Sequence, residues 1–226
     1  MVCAAVALSR DLPAGHVMRS WVDGQELAVW RSAGGALAAW PNRCPHRGMR
    51  LSYGAVRGEE LVCLYHGWRF ENATGQCRHI PARPDARPPA AARMQSHAVT
   101  ESGGLVWVAV NGPALPPDTG AARLPLRSLT FDCGARKLRA VFCNWLGNDG
   151  AIPDTRAGRD GTGLILPFTF NGLAATLVLH PSPEGVTVHA LTADGAGPAL
   201  RTGISRWLEE LRRTAETEAP AGAQEA

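Results

Sequence analysis

The sequence predicts an all-β domain over residues 1–112, followed by a reduced α+β domain over residues 113–216. Two observations predict this order. Short runs rich in β-branched and aromatic residues, separated by glycine and proline, fill the first part of the chain. A helical spacing of apolar residues appears only near the end, before a polar tail at 217–226 that we expect to be disordered.

In the first domain, the apolar run that opens the sequence is predicted to be a strand, because no basic segment precedes it as in a signal peptide. The next two runs flank Asp23-Gly24, a pair typical of a hairpin turn. The proline- and arginine-rich segment 81–93 is predicted to be a surface loop, since strand-like runs resume after it. The later strand-like runs are HVMRSWVD (16–23), QELAVWR (25–31), ALAAW (36–40), ELVCLY (60–65) and GGLVWVAV (103–110).

The boundary between the two domains is predicted within a stretch without periodicity, NGPALPPDTGAARLP at 111–125. Asn171-Gly172 predicts a further hairpin turn. One amphipathic helix is predicted from the spacing of Leu200, Ile204, Trp207, Leu208 and Leu211. The strand-like runs of this domain are KLRAVFCNW (137–145), LILPFTF (164–170), LAATLVLH (173–180) and GVTVHALTA (185–193).

Composition excludes several classes of function. The formal net charge is +3, and the 23 basic residues are mostly scattered arginines, so no nucleic-acid surface is predicted. No apolar run is long enough to span a membrane. Six cysteines are too few for a disulfide scaffold in a chain of 226 residues, which favours a reducing cytoplasm. The abundance of alanine, arginine and glycine suggests a GC-rich bacterial genome.

A cysteine and a histidine stand close together twice, as Cys44 with His46 and Cys63 with His66. Two thiolates and two imidazoles can bind zinc in a tetrahedron, or a [2Fe–2S] cluster with both cysteines on one iron and both histidines on the other. The neighbours favour the cluster, because they allow tight loops and an apolar shell around a bulky core. The loop formers are Pro45, Gly48 and Gly67, and the shell candidates are Tyr65, Trp68 and Phe70.

The stretch CPHRGMRLSYGAVRGEELVCLYHGWRF resembles the cluster-binding signature of the Rieske family, specifically the α subunits of ring-hydroxylating oxygenases. The resemblance implies a Rieske [2Fe–2S] cluster held by Cys44, His46, Cys63 and His66, with the free histidine nitrogens as the exit for electrons. It also implies a helix-grip-like second domain. Met49 and Leu64 exclude the disulfide of respiratory relatives. Trp68 and Phe70 replace their serine and tyrosine, which predicts a low potential within the Rieske range.

Oxygenase α subunits of this family also hold a mononuclear iron with two histidines and a carboxylate. Asn144-Trp145 and Asp154 match the start of that motif, but Ala157 and Thr162 stand where the histidines belong. Neither residue replaces an imidazole, so we expect no mononuclear iron. Asp154 is predicted either to bridge to a cluster histidine of a neighbouring subunit or to cap a turn. The other histidines and acids of this half, His180, His189, Glu209 and Glu210, form no matching arrangement.

The sequence therefore predicts an electron-transfer subunit of a Rieske-type oxygenase system. A reductase or ferredoxin is the expected electron donor. A catalytic α-type subunit is the expected acceptor, in a trimer-type or hetero-oligomeric assembly. The alternatives are a self-sufficient Rieske oxygenase with an atypical iron site, and a stand-alone Rieske ferredoxin. The remaining cysteines are expected to be small buried hydrophobic residues; they are Cys3, Cys77, Cys133 and Cys143.

Overall fold

The computed structural model of the chain describes residues 3–120, 122–147 and 164–217. The chain divides into two compact units, residues 1–116 and 117–226, close to the boundary predicted after residue 112. The first unit contains ten strands: β1 Cys3–Leu8, β2 His16–Val22, β3 Gln25–Arg31, β4 Leu37–Pro41, β5 Ala55–Arg57, β6 Glu60–Val62, β7 Arg69–Glu71, β8 Cys77–His79, β9 Ala98–Ser102 and β10 Leu105–Ala109.

The strands of the first unit form three antiparallel sheets, ordered β2-β3-β4, β1-β10-β9 and β5-β6-β7-β8. Strand β3 serves two cores because successive side chains point to opposite faces. Leu27 and Val29 join the core shared with β1 and β10. Ala28 and Trp30 join the core that also contains Cys44 and Cys63. The small four-stranded sheet therefore packs on β3 and β4 in a core that includes two of the candidate ligands.

The predicted hairpin at Asp23-Gly24 is confirmed. Both residues have positive φ, 51° and 72°, as a two-residue turn of type I′ requires. The predicted loop at 81–93 is also confirmed, since this segment contains no helix or strand and most of its residues are exposed.

The second unit is an antiparallel sheet covered on one face by two helices. The strand order is β11-β14-β13-β12, and the hairpin turn predicted at Asn171-Gly172 joins β12 to β13. Alternate residues of the strands pack with the helices into one core. The elements are β11 Leu124–Phe131, α1 Ala135–Gly147, β12 Leu164–Phe170, β13 Leu173–Ser182, β14 Gly185–Thr192 and α2 Pro198–Thr217.

Two predictions about this unit were wrong. Segment 137–145 forms part of helix α1, not a strand. Its buried residues Leu138, Val141 and Phe142 recur at helical spacing, and they outweigh the aromatic and β-branched content that favoured a strand. The interpretation of 111–125 as aperiodic throughout was also wrong, because strand β11 begins inside it at Leu124; the register of β11 with β14 shifts between Pro125 and Arg127. Beyond Thr217, the predicted tail lies outside the described residues.

Within residues 3–120, 122–147 and 164–217, no helix combines the length and the hydropathy that a membrane crossing requires.

Trp207 of α2 is the centre of an aromatic group that joins both helices to the sheet. Its ring stacks on Phe168 at 5.1 Å between centroids and meets Phe142, Trp145 and Phe170 edge-on at 6.1 Å. We expect Trp207→Ala to lower the free energy of unfolding of this unit by about 2–4 kcal/mol, because it opens a cavity. Trp207→Phe keeps a ring and is expected to cost about half as much.

Urea unfolding followed by circular dichroism measures both variants of Trp207. The visible absorption of the cluster predicted in the first unit provides the control, since its ligands all lie in that unit. Equal losses in the two variants would contradict a role for ring packing at this position.

Candidate metal centre

The first ligand loop, residues 44–49, is closed by two backbone hydrogen bonds. The amide of Cys44 donates to the carbonyl oxygen of Met49 at 2.8 Å, and the amide of Gly48 donates to the carbonyl oxygen of Cys44 at 2.8 Å. Two further bonds join the residues that flank this loop. Asn42 Nδ2 donates to Ser52 Oγ at 2.9 Å, and the Ser52 amide donates to Asn42 Oδ1 at 2.8 Å.

The second ligand loop, residues 63–68, repeats this pattern at the same spacing. The amide of Cys63 donates to the carbonyl oxygen of Trp68 at 2.9 Å, and the amide of Gly67 donates to that of Cys63 at 3.0 Å. Gly48 and Gly67 both have φ near 70°, a left-handed conformation that glycine adopts without steric cost. Strands β6 and β7 flank the loop directly, so their pairing determines where it lies.

The two cysteines form the inner side of the site. Cys44 and Cys63 are 3% and 2% exposed, and their thiols are close enough for a side-chain hydrogen bond. Burial, and then the neighbouring Cys63, raise the pKa of the Cys44 thiol to about 11. All the cysteines are free. A thiol binds a metal as the thiolate. A metal cation between the cysteines and the histidines would therefore stabilise the deprotonated form of both thiols.

The two histidines form the outer side of the site. The rings of His46 and His66 are 4.6 Å apart between centroids, and both residues are only partly buried. Within the described part of the chain, the buried Nδ1 atom of His46 has no hydrogen-bond partner. Partial burial, and then the charges of His66 and Arg47, lower the pKa of His46 and so favour the neutral form that binds metals.

This donor set fits a two-metal cluster better than a single ion. The sulfur atoms lie together on one side and the imidazoles on the other, which is the division that a Rieske [2Fe–2S] cluster requires. Across residues 3–120, 122–147 and 164–217, no three histidine, cysteine or carboxylate side chains converge on one point, as a zinc site would need. A role as a metal ligand would explain why the buried Nδ1 atom of His46 has no hydrogen-bond partner in the described structure.

The apolar surroundings of the site were predicted only in part. Phe70 is fully buried in the same core as Cys44 and Cys63, and Trp68 packs against that core. Trp68 also stacks on His46, with centroids 4.5 Å apart and ring planes 9° apart. Tyr65 is 57% exposed beside His66, so it lies at the rim and does not enclose the site.

The other cysteines differ in burial. Cys77 is buried beside the site and donates to the carbonyl oxygen of His79 at 3.5 Å, and burial raises the pKa of its thiol. It is the small buried residue that the sequence predicted. Cys3, Cys133 and Cys143 are only half-buried, so the prediction of burial was too strong for these three.

Only the first two residues of the predicted mononuclear-iron motif lie in the described structure. Asn144 and Trp145 lie on α1, while Asp154, Ala157 and Thr162 lie outside the described residues. His180 and His189 are buried on the sheet, with ring centroids 6.4 Å apart, and Ser128 Oγ lies 2.9 Å from His189 Nδ1. They alternate with the core residues Leu179 and Val188, so they occupy the sheet face opposite the helices.

Glu209 and Glu210 also have separate positions. Glu209 is engaged by arginines, because Arg127 and Arg212 contact its carboxylate at 2.9 Å and 3.0 Å. Glu210 is exposed on α2.

One group beside the site was missed by sequence reasoning. Glu26 of β3 lies 2.8 Å from Arg50, 3.6 Å from Arg43 and 3.9 Å from Arg19. No local pattern could have shown this, because Glu26 is distant in sequence from the arginines of segment 43–50 and meets them only after the sheets have formed.

A matched pair of glycines tests the geometry of the loops. A Cβ atom at Gly67 would lie 2.9 Å from Pro81 Cγ, whereas a Cβ at Gly48 would meet nothing within 4 Å. Alanine at either position costs about 1 kcal/mol for the left-handed backbone, but only Gly67→Ala adds a clash. We therefore expect Gly67→Ala to retain less iron and acid-labile sulfide per chain than Gly48→Ala. Equal retention would show that Pro81 does not constrain the second loop.

Comparison with known proteins agrees with this geometry. A family model described as the Rieske [2Fe-2S] domain matches residues 3–97. The oxidoreductase NdmD of Pseudomonas putida is 47% identical over 112 residues, which are 50% of this chain and 19% of that protein. The 3-chlorobenzoate-3,4-dioxygenase oxygenase subunit of Comamonas testosteroni is 34% identical over 145 residues, 62% of this chain and 32% of that protein.

These matches span less than two thirds of the relatives' own lengths. The second match is longer than the first unit and therefore extends into the second. The structure of NdmA from Pseudomonas putida CBB5 superimposes with a TM-score of 0.71 at 18% identity, over 99% of this chain and 84% of that one. The similarity to the fold of NdmA therefore includes residues of both units. The chain contains a Rieske [2Fe–2S] domain and has the fold of the Rieske non-haem iron oxygenases.

Proposed function

We propose that this chain is the Rieske electron-transfer subunit of an oxygenase system and that it lacks a mononuclear iron site of its own. Cys44, His46, Cys63 and His66 are the cluster ligands in this proposal. A reductase or ferredoxin supplies the electron, and a catalytic α-type subunit, assembled with this chain, receives it. The cluster, when bound, accepts and releases one electron at a time.

The observation that carries the proposal is the absence of the two motif histidines from the sequence of the second unit. Ala157 and Thr162 occupy the places of the two histidines in the family motif. His180 and His189 lie on the sheet face away from α1, the helix that contains the matching Asn144. A facial site needs two histidines and a carboxylate on one side of a metal, and these residues do not supply it.

The arrangement of the ligand loops supports an electron-transfer role. Cys44 and Cys63 are buried, whereas His46 and His66 remain partly exposed. An electron passing to another protein therefore has its shortest path through the imidazole side. Trp68 covers one face of His46 and limits the access of water to it. Phe70 packs in the same core as Cys44 and Cys63.

A self-sufficient oxygenase is the second candidate, and the overall fold favours it. The superposition on NdmA covers 99% of this chain, including the unit that carries the catalytic iron in the family. The two candidates differ in the amount of metal that one chain must hold.

Metal analysis distinguishes the candidates. Protein purified anaerobically is expected to contain about two irons and two acid-labile sulfides per chain, the content of one [2Fe–2S] cluster. Cys63→Ala should lose both, while His189→Ala should lose neither. A third iron that survives in Cys63→Ala would overturn the proposal and assign an oxygen-activating site to this chain.

Asp154 provides a separate test of the proposed assembly. In the proposal its carboxylate accepts a hydrogen bond from a cluster histidine of a neighbouring subunit. Asp154→Ala is then expected to reduce turnover of the assembled system at least tenfold, because the loss of one positioning contact slows the transfer, with unchanged iron and sulfide content. Asp118→Ala, which removes another carboxylate of the second unit, is the matched control. Unchanged turnover in Asp154→Ala would leave the aspartate as a turn cap.

A further inference from the structure

Four arginines lie around the first ligand loop and around one buried carboxylate. Arg43, Arg47 and Arg50 belong to the segment 43–50 that contains Cys44 and His46, and Arg19 lies on the neighbouring strand β2. The carboxylate of Glu26 is the centre of the group, since its side chain is only 8% exposed. We call the four arginines the arginine face.

Glu26 holds three of the four guanidinium groups without neutralising the surface. Arg50 Nε donates to Glu26 Oε1 at 2.8 Å, Arg43 lies 3.6 Å from Oε2, and Arg19 lies 3.9 Å from Oε1. The three arginine side chains remain 35–58% exposed. One carboxylate thus faces three positive charges, and Arg47 adds a fourth that Glu26 does not contact, so the arginine face keeps a clear excess of positive charge.

Two contacts tie the arginine face to the metal centre. Arg43 Nη1 donates to the carbonyl oxygen of Gly48 at 3.3 Å, across the base of the ligand loop. Arg47 follows His46 directly and is exposed. Among residues 3–120, 122–147 and 164–217, the Arg47 side chain has no hydrogen-bond or ion-pair partner. Its positive charge is therefore available to a partner protein.

The second ligand loop has a different surface. Residues 63–68 include no charged side chain, the exposed Arg69 being the one charge that directly follows them, and Leu64 and Tyr65 are 66% and 57% exposed. Charged surfaces suit brief, electrostatically steered encounters, whereas lasting subunit interfaces are more apolar. The two sides of the same centre therefore suit partners of two kinds.

We propose that the arginine face is the docking site for the acidic face of an iron–sulfur electron donor, held in register by Glu26. This inference rests on the proposed electron-transfer function and specifies the chemistry of the donor. Long-range attraction toward Arg43, Arg47 and Arg50 orients the donor at the His46 side and raises the association rate. The uncharged loop 63–68 is left for the acceptor.

An acidic plant-type [2Fe–2S] ferredoxin is the probe. Its potential lies below that of Rieske centres, so electron flow to this chain is downhill. Binding is measured first with both proteins oxidised, by NMR titration of isotopically labelled ferredoxin with the full cluster-containing chain. Reduction of the chain by the reduced ferredoxin is then followed by stopped flow at several salt concentrations.

The test variant is Arg47→Glu, because this side chain makes no contact that the fold needs. The control is Arg57→Glu, the same charge change at the turn end of the β5–β6 hairpin, the end opposite the second ligand loop, where Arg57 lies across from Glu60 in the strand register. We expect Arg47→Glu to weaken ferredoxin binding about tenfold and Arg57→Glu to weaken it less than about threefold, since screening limits the reach of each charge. Arg47→Gln should give an intermediate loss. Visible spectra must show an unchanged cluster in each variant.

The outcomes separate this inference from the proposed function. Equal effects of Arg47→Glu and Arg57→Glu, or wild-type binding that does not depend on salt, would overturn the docking site. Fast reduction of the wild-type chain alongside that result would leave the electron-transfer function in place. Salt-dependent binding of the ferredoxin to the chain without any reduction of the cluster would support the docking site at the arginine face. It would contradict the proposed electron-transfer function.

Discussion

The folding of the first unit depends on one repeated constraint, the backbone closure of two ligand loops. In each loop, a cysteine amide donates to the carbonyl oxygen five residues later, and a left-handed glycine lets the chain turn back. This closure turns both thiols inward, where they become part of the core that Trp30 and Phe70 complete. The side chains that can bind a metal are thus also packing residues, so the centre and the fold stabilise each other.

The sequence predicted the parts of the structure that depend on local chemistry. Asp23-Gly24 and Asn171-Gly172 predict the hairpin turns at their own positions. The two Cys-His segments predict both the tight ligand loops and the type of metal ligand. The error in α1 arose because Val141, Phe142 and Trp145 suit either a strand or a helix, and only the core contacts of Leu138 and Phe142 decide between them. The contacts of Glu26 with Arg19, Arg43 and Arg50 could not be predicted for a different reason. These residues are brought together only when β2, β3 and β4 pair.

The packing of the second unit does not depend on metal ligands. Its core is formed by the alternate strand residues and the inner faces of α1 and α2, centred on Trp207. None of these contacts requires a metal ligand. The histidines that the described strands do carry, His180 and His189, lie in the sheet, where Ser128 hydrogen-bonds to His189. Packing therefore maintains this unit whether or not an iron site is present, and fold similarity alone does not establish catalysis.

The pairing of like ligands decides which metal the first unit takes. Two cysteines and two histidines also make zinc sites, so the ligand types leave the choice open. In this chain each loop supplies one sulfur and one nitrogen, and the loops face each other so that sulfur meets sulfur and imidazole meets imidazole. Burial raises the pKa of Cys44, so its thiol stays protonated near neutral pH until metal displaces the proton. On the outer, imidazole side, Trp68 stacks on His46 and the arginines of segment 43–50 flank it, and in our proposal a redox partner docks at this surface.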